Sequence, residues 1–220
     1  MSRALTISLG ALSGMGLGYF AKSLIKKIDS EIRRMSGKVL AFCFVAGAVI
    51  AEFVFLRFFE TELRVCFAIL CAGLLLQSLI DFYTHRLVRQ ISHALACSGV
   101  LLLSLNAAKN SNFDFLVSSS VCAILGIAVS FFSNKISRGS LGAGDVRLMA
   151  VLGWHLGFIG YSTAMLALFL ACIFASVFGV AMIALGRGSW QQRIAFGPFL
   201  AIGSFVAIFA DFVPPYGFIA

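Results

Sequence analysis

Two aspartates stand at the borders of long apolar runs, where an ionisable side chain is costly to keep without a partner or a function. Asp145 follows the glycine-rich, basic segment 138–144, and the chain from Leu148 to Gly186 then contains no Asp, Glu, Lys or Arg. Asp81 lies at the end of an earlier apolar run. Two carboxylates brought close together cannot both ionise cheaply, so they share a proton. One can then act as a base towards water while the other polarises a peptide carbonyl, as in an aspartic protease.

The elements that must position these aspartates are membrane helices. The chain has 220 residues, of which 60% are apolar and 12% are charged, and its mean hydropathy is +1.00. Soluble domains carry roughly 25% charged residues, whereas apolar runs of about 20 residues indicate transmembrane helices. We therefore predict an all-α, polytopic transmembrane helix bundle of about eight membrane segments. The predicted segments are 4–24, 39–56, 65–82, 91–108, 115–133, 146–157, 159–185 and 197–213.

The basic residues alternate between the loops and predict the orientation of the bundle. One set of loops holds only Arg3, Arg57, Arg64 and Lys109, and the other set holds the remaining 13 of the 17 Lys and Arg residues. Since cytoplasmic loops carry the excess of Lys and Arg, the second set is placed in the cytoplasm and both termini outside. Asp81 and Asp145 then lie at the same, cytoplasmic, membrane face.

The segment 146–157 is short for a crossing. Twelve residues form roughly 18 Å of helix, against a hydrocarbon core of about 30 Å. The basic loops on either side of 146–185 nevertheless place both ends of that region in the cytoplasm. We therefore predict two crossings, with a turn near 157–160.

Two other classes of site are not supported. The net charge of +8 could suggest nucleic acid, but no soluble basic face is available to bind it, so no nucleic-acid partner is predicted. All six cysteines fall inside apolar runs and none forms a C-x-x-C pair, so neither a zinc site nor a disulfide framework is expected.

Simpler interpretations of the acidic residues remain open at this point. Asp145 could cap a helix N-terminus, where its charge suits the helix dipole. Asp81 could pair with His85 or Arg86 at helical spacing. Glu52, inside the second segment, is a third candidate, since an acid within a membrane segment is by default a hypothesis for a functional residue; it could instead pair with Arg57.

Three blocks of the chain resemble the type IV prepilin peptidases, which are membrane aspartic proteases of the G-x-G-D group. Residues 142–157 are similar to the family's G-x-G-D-x-K-L-x-x-x-L-G-x-x-L-G block, and residues 79–86 to the block of its first aspartate. Residues 195–203 resemble its P-F-G-P-F-L-A-x-G signature. The blocks follow in family order. The chain departs from the family in having Leu87-Val88 where Ile-Pro is usual.

The resemblance implies that Asp81 and Asp145 are catalytic. Gly142 and Gly144 are predicted to form a supporting active-site loop, with a hinge-permissive backbone that lets Asp145 approach Asp81. It implies a single membrane peptidase domain over 1–220, with N-terminal spans and a basic cytoplasmic loop in 1–64 and the catalytic core helices in 65–213. Larger members carry a zinc domain after the first span, and the corresponding loop here contains no cysteine. No metal is therefore expected, and no cofactor is needed for hydrolysis. S-adenosylmethionine would be required only if the enzyme also methylated the new N-terminus.

The predicted function is removal of a short basic leader from prepilins or pseudopilins, for type IV pilus or type II secretion assembly. The protein is predicted to be a multi-pass protein of the bacterial cytoplasmic (inner) membrane, with cleavage at its cytoplasmic face. Two alternatives remain: a small transporter that relays protons through intramembrane acids, and a non-catalytic component of a pilus or secretion machine.

Overall fold

The computed structural model describes residues 3–28, 37–136, 142–186 and 195–210. Within these ranges the chain forms eight α-helices and no strand. The helices are α1 (Arg3–Ile28), α2 (Gly37–Arg57), α3 (Thr61–Thr84), α4 (Arg89–Lys109), α5 (Asp114–Ile136), α6 (Ala143–Ile159), α7 (Tyr161–Ala184) and α8 (Gly197–Phe209). The prediction of an all-α, polytopic membrane protein is confirmed.

Five of the described helices are long and apolar enough to cross a membrane, namely α2, α3, α4, α5 and α7. Of the other three, α1 has 26 residues and includes the predicted segment 4–24, whereas α6 and α8 have only 17 and 13 residues. The glycines of α1 allow close packing: an added Cβ at Gly14 would lie 2.2 Å from the backbone oxygen of Cys43, so α1 and α2 are in close backbone contact.

Helix α3 is the centre of the bundle and contacts α1, α2, α4 and α8. Two-thirds of its most apolar stretch is buried inside the protein, against a third or less for each of the other four long helices. At its N-terminal end, Glu60 accepts hydrogen bonds from the side-chain amides of Asn106 and Asn110 on the α4 side. The buried Asn106 amide therefore fastens α3 to α4 at this end of the pair.

Helices α6 and α7 meet at Gly160, within the predicted turn at 157–160. Gly160 has φ 157° and ψ 159°, a backbone conformation that is essentially restricted to glycine. Helix α6 begins at Ala143, three residues before the predicted start, and its 17 residues extend roughly 25 Å. The glycine-rich segment thus contributes to the helix, and Asp145 lies in its first turn. The crossing of the membrane by α6 and the orientation of the termini stay predictions.

Candidate active site

Asp81 lies in the last turn of α3, and its carboxylate joins that helix to the start of α8. The side chain is only 5% exposed, because the preceding residues anchor the end of α3 in an apolar environment. Its Oδ2 accepts a hydrogen bond of 2.9 Å from the backbone N–H of Gly197. Gly197 is the first residue of α8, so its N–H has no acceptor within the helix. Asp81 therefore caps a helix 116 residues further along the chain.

Asp145 lies in the first turn of α6 and caps its own helix. Its Oδ2 accepts a hydrogen bond of 3.2 Å from the N–H of Gly142, the N-cap residue of the helix. The interpretation of Asp145 as a helix cap is thus realised in the structure. The carboxylate is partly exposed, unlike that of Asp81. Capping and catalysis are compatible, because the cap uses one carboxylate oxygen and orients the other.

Leu87, in the connection between α3 and α4, lies between the two aspartate sites. An added Cβ at Gly144 would lie 2.8 Å from Leu87 Cβ, and one at Gly197 would lie 3.2 Å from Leu87 Cδ2. The same position at Gly197 would be 2.7 Å from Asp81 Oδ2. The structure therefore brings the C-terminal end of α3 and the N-terminal ends of α6 and α8 together around one leucine.

The electrostatic environment suits a pair of carboxylates that holds a single negative charge. The N-terminal ends of α6 and α8 each carry a partial positive charge that favours an anion. The hydrogen bond of the Asp81 carboxylate goes to the Gly197 N–H, and its pairing with His85 or Arg86 stays a prediction. Among the described residues, no hydrogen bond reaches Oδ1 of either aspartate. Both Oδ1 atoms are thus available to a water molecule or a substrate.

The structure gives the backbone conformation and surroundings of the glycines before Asp145, and their predicted role as a hinge stays a prediction. Gly142 has φ −70° and ψ 147°, and Gly144 lies within α6 and outside the left-handed region, so neither position needs a backbone that only glycine adopts. What Gly144 provides is space for Leu87. Leu87 was not predicted to be a site residue, and Gly197 was named only within a family block. The one signal in the sequence at Leu87 is the departure from Ile-Pro.

Replacing Gly144 by alanine is expected to lower cleavage of the substrate proposed below by roughly tenfold, because the new Cβ would push Leu87 and α6 apart. Crowding of this kind also destabilises a protein by about 1–3 kcal/mol. The rate and the thermal midpoint should be measured on the purified variant. Gly16→Ala is the control: nothing lies within 4 Å of its added Cβ, so cleavage should not change. Full activity of the Gly144→Ala variant would show that Leu87 need not fit closely against α6.

The remaining acidic residues are separate from this pair. The neighbour of Glu52, Phe53, packs on Phe209 at the far end of α8, roughly 18 Å along the helix from Gly197. Glu60 and Glu62 lie at the opposite end of α3 from Asp81, and Asp114 begins α5. Asp29, Glu31 and Asp211 lie outside the described residues. In the described ranges, no group of three His, Cys, Asp or Glu side chains is placed to hold a metal ion.

The sequence profile of the type IV leader peptidase family matches residues 68–180, which include Asp81, Leu87 and Asp145. Leader peptidase HopD of Salmonella typhimurium is 33% identical over 93 residues, which are 40% of this chain and 57% of that protein. No solved structure matches the chain.

Two larger relatives are both described as prepilin leader peptidase/N-methyltransferase. The one from Bacillus subtilis is 32% identical over 88 residues, covering 38% of this chain and 34% of the relative. The one from Pseudomonas aeruginosa is 27% identical over 182 residues, covering 81% of this chain and 61% of the relative. The chain thus spans less than two-thirds of the length of these relatives. Since the family profile covers more than half of the chain, the protein belongs to the type IV leader peptidase family.

Proposed function

We propose that this protein is a membrane aspartic endopeptidase that removes the leader peptide of prepilins or pseudopilins, with Asp81 and Asp145 as its catalytic pair. The observation that carries the proposal is the meeting of the two aspartates around Leu87, each with one oxygen held by a backbone N–H. That arrangement holds one carboxyl group on each side of a single leucine, each with one oxygen bound to a backbone N–H. Membership of the leader peptidase family makes peptide hydrolysis the chemistry to expect.

In the proposed reaction the pair holds one proton. The ionised aspartate removes a proton from a water molecule, and the resulting hydroxide attacks the carbonyl carbon of the scissile peptide. The protonated aspartate hydrogen-bonds to the carbonyl oxygen and stabilises the negative charge that develops there. Collapse of the tetrahedral intermediate breaks the C–N bond, and a proton from the pair goes to the leaving amine. No metal or cofactor enters this hydrolysis.

The proposed substrate is a membrane-bound prepilin-like protein whose short basic leader precedes an apolar segment. The ends of α3, α6 and α8 that carry the pair belong, by the predicted orientation, to the cytoplasmic face. The scissile bond of such a substrate, next to its membrane-inserted segment, would lie at the same membrane face as the two aspartates. The basic loops at this face would repel a basic leader, so their charges are assigned to topology and not to substrate binding. We do not assign N-methylation to this chain, although the names of two relatives include it.

The test is to reconstitute the purified protein in liposomes with a tagged prepilin and to follow the mass and N-terminal sequence of the product. The expected result is loss of a short N-terminal fragment immediately before the apolar segment. Glu52→Gln should cleave like the wild type, because Glu52 is far from the pair. An unprocessed substrate would refute the proposal. If pilus assembly nevertheless required the protein, a non-catalytic role would be favoured, and an ion flux independent of both aspartates would favour a transporter.

A further inference from the structure

A buried glutamine lies one helical turn before Asp81 on α3. Gln77 has no exposed surface, and both ends of its amide are hydrogen-bonded. Nε2 donates to Ser92 Oγ on α4 at 2.8 Å, and Oε1 accepts from the backbone N–H of Val88 at 3.1 Å. A buried side-chain amide costs free energy unless it is paired in this way. Gln77 therefore joins α3, the connection 85–88 and α4.

The backbone group that Gln77 holds belongs to the residue next to Leu87. Val88 is the N-cap of α4, so its N–H is not used by the helix and would otherwise lack a protein partner. A bond that holds the backbone of Val88 also holds the backbone of the adjacent Leu87. The side chain of Leu87 fills the space between Gly144 and Gly197. A path of direct contacts thus leads from the Gln77 amide through Val88 and Leu87 to both aspartate sites.

We propose that Gln77 is a positioning residue of the peptidase site: its amide holds Leu87 in its position between Gly144 and Gly197, and that position sets the separation of Asp81 and Asp145. This inference rests on the proposed function for its activity readout, but the hydrogen bond itself can be tested without it. Gln77 does not touch the reacting atoms, so it acts on the rate through geometry alone.

The alternative is that Gln77 merely ties α3 to α4. The chain contains a matched control for that role at the other end of the same helix pair, where the buried amide of Asn106 bonds to Glu60. Both side chains are amides, both are at most 4% exposed, and both link α3 to α4. Only Gln77 contacts the connection that carries Leu87.

Proline at position 88 gives a test based on rescue. Val88 has φ −80°, which proline can adopt, and proline has no N–H that needs an acceptor. Gln77→Leu leaves the Val88 N–H without its partner, and Val88→Pro leaves Gln77 Oε1 without its donor. Each single change is expected to lower kcat by about tenfold or more with a smaller effect on KM. In the double variant the Val88 N–H and Gln77 Oε1 are both absent and the proline ring restrains the connection, so kcat should recover to within a few-fold of the wild type. Ser92 Oγ loses its donor in Gln77→Leu and in the double variant alike, so the recovery isolates the bond to Val88.

The experiment measures liposome cleavage kinetics for the two single variants, the double variant and Asn106→Leu, together with amide hydrogen exchange of the segment around Val88. Asn106→Leu should lower the thermal midpoint while kcat and exchange at Val88 stay unchanged. Gln77→Leu should speed that exchange. The proposal would be overturned if the fold loss of kcat in the double variant equalled the product of the two single losses. A wild-type kcat for Gln77→Leu would overturn it as well. If the wild type cleaved nothing, the proposed function would fail. Unchanged exchange in Gln77→Leu would separately refute the positioning role.

Discussion

Replacing either Asp81 or Asp145 by asparagine is expected to lower the rate of leader cleavage by at least about 10³-fold. Asparagine keeps the shape of the side chain and an oxygen that accepts a hydrogen bond. The bonds from Gly197 and Gly142 can therefore survive, and with them the N-terminal caps of α8 and α6. What asparagine cannot do is accept or donate the catalytic proton. The change thus separates the chemistry of the pair from its structural role.

The measurement is single-turnover cleavage of a prepilin in liposomes, with the thermal midpoint of each variant taken from the same preparation. Both variants should retain a thermal midpoint near that of the wild type. The Asp81→Asn/Asp145→Asn double variant should be no slower than either single variant, because the two groups act as a unit. A variant that kept more than about a tenth of the wild-type rate would remove that aspartate from the proposed mechanism.

The helical class and the turn at Gly160 were accessible from sequence because both follow from local properties. In a membrane, long apolar runs form helices, because a helix satisfies its own backbone hydrogen bonds. A glycine between two such runs allows the chain to reverse its direction. The start of α6 was placed three residues late, because the glycines before Asp145 resemble a loop. The reciprocal bond between Gly142 and Asp145 extends the helix into that segment.

The contacts of the site could not be predicted in the same way, because they join distant parts of the chain. No periodicity indicates that the N–H of Gly197 meets the carboxylate of Asp81, or that Leu87 fits against Gly144. The family resemblance identified the two aspartates but not the residues that contact them. Gln77 did leave a signal: it is a lone amide inside an apolar run, one turn before a candidate catalytic residue. Such a residue must find a buried partner, although its identity depends on the fold.

Replacing Gly197 by alanine is expected to lower cleavage by roughly 10²-fold, the second largest effect. The added Cβ would lie 2.7 Å from Asp81 Oδ2 and 3.2 Å from Leu87 Cδ2, and both distances are too short for the present arrangement. Since Asp81 is buried at the end of α3, its carboxylate cannot simply swing into solvent. Either Asp81 changes rotamer or α8 moves away, and each change alters the position of the carboxylate relative to Asp145.

Gly203→Ala in the same helix separates this effect from a general loss of packing. Its added Cβ would lie 2.4 Å from the backbone oxygen of Ala167 on α7, and the residue is six positions beyond Gly197. Gly203→Ala should therefore lower the thermal midpoint at least as much as Gly197→Ala, while the molecules that remain folded cleave at a rate within a few-fold of the wild type. Both variants should be assayed well below their midpoints, with the rate normalised to folded protein. Equal losses of rate in the two would mean that cleavage responds to the packing of α8 as a whole. A loss confined to Gly197→Ala would locate the effect at the carboxylate of Asp81, where the cap of α8 and the proposed proton transfer use the same side chain.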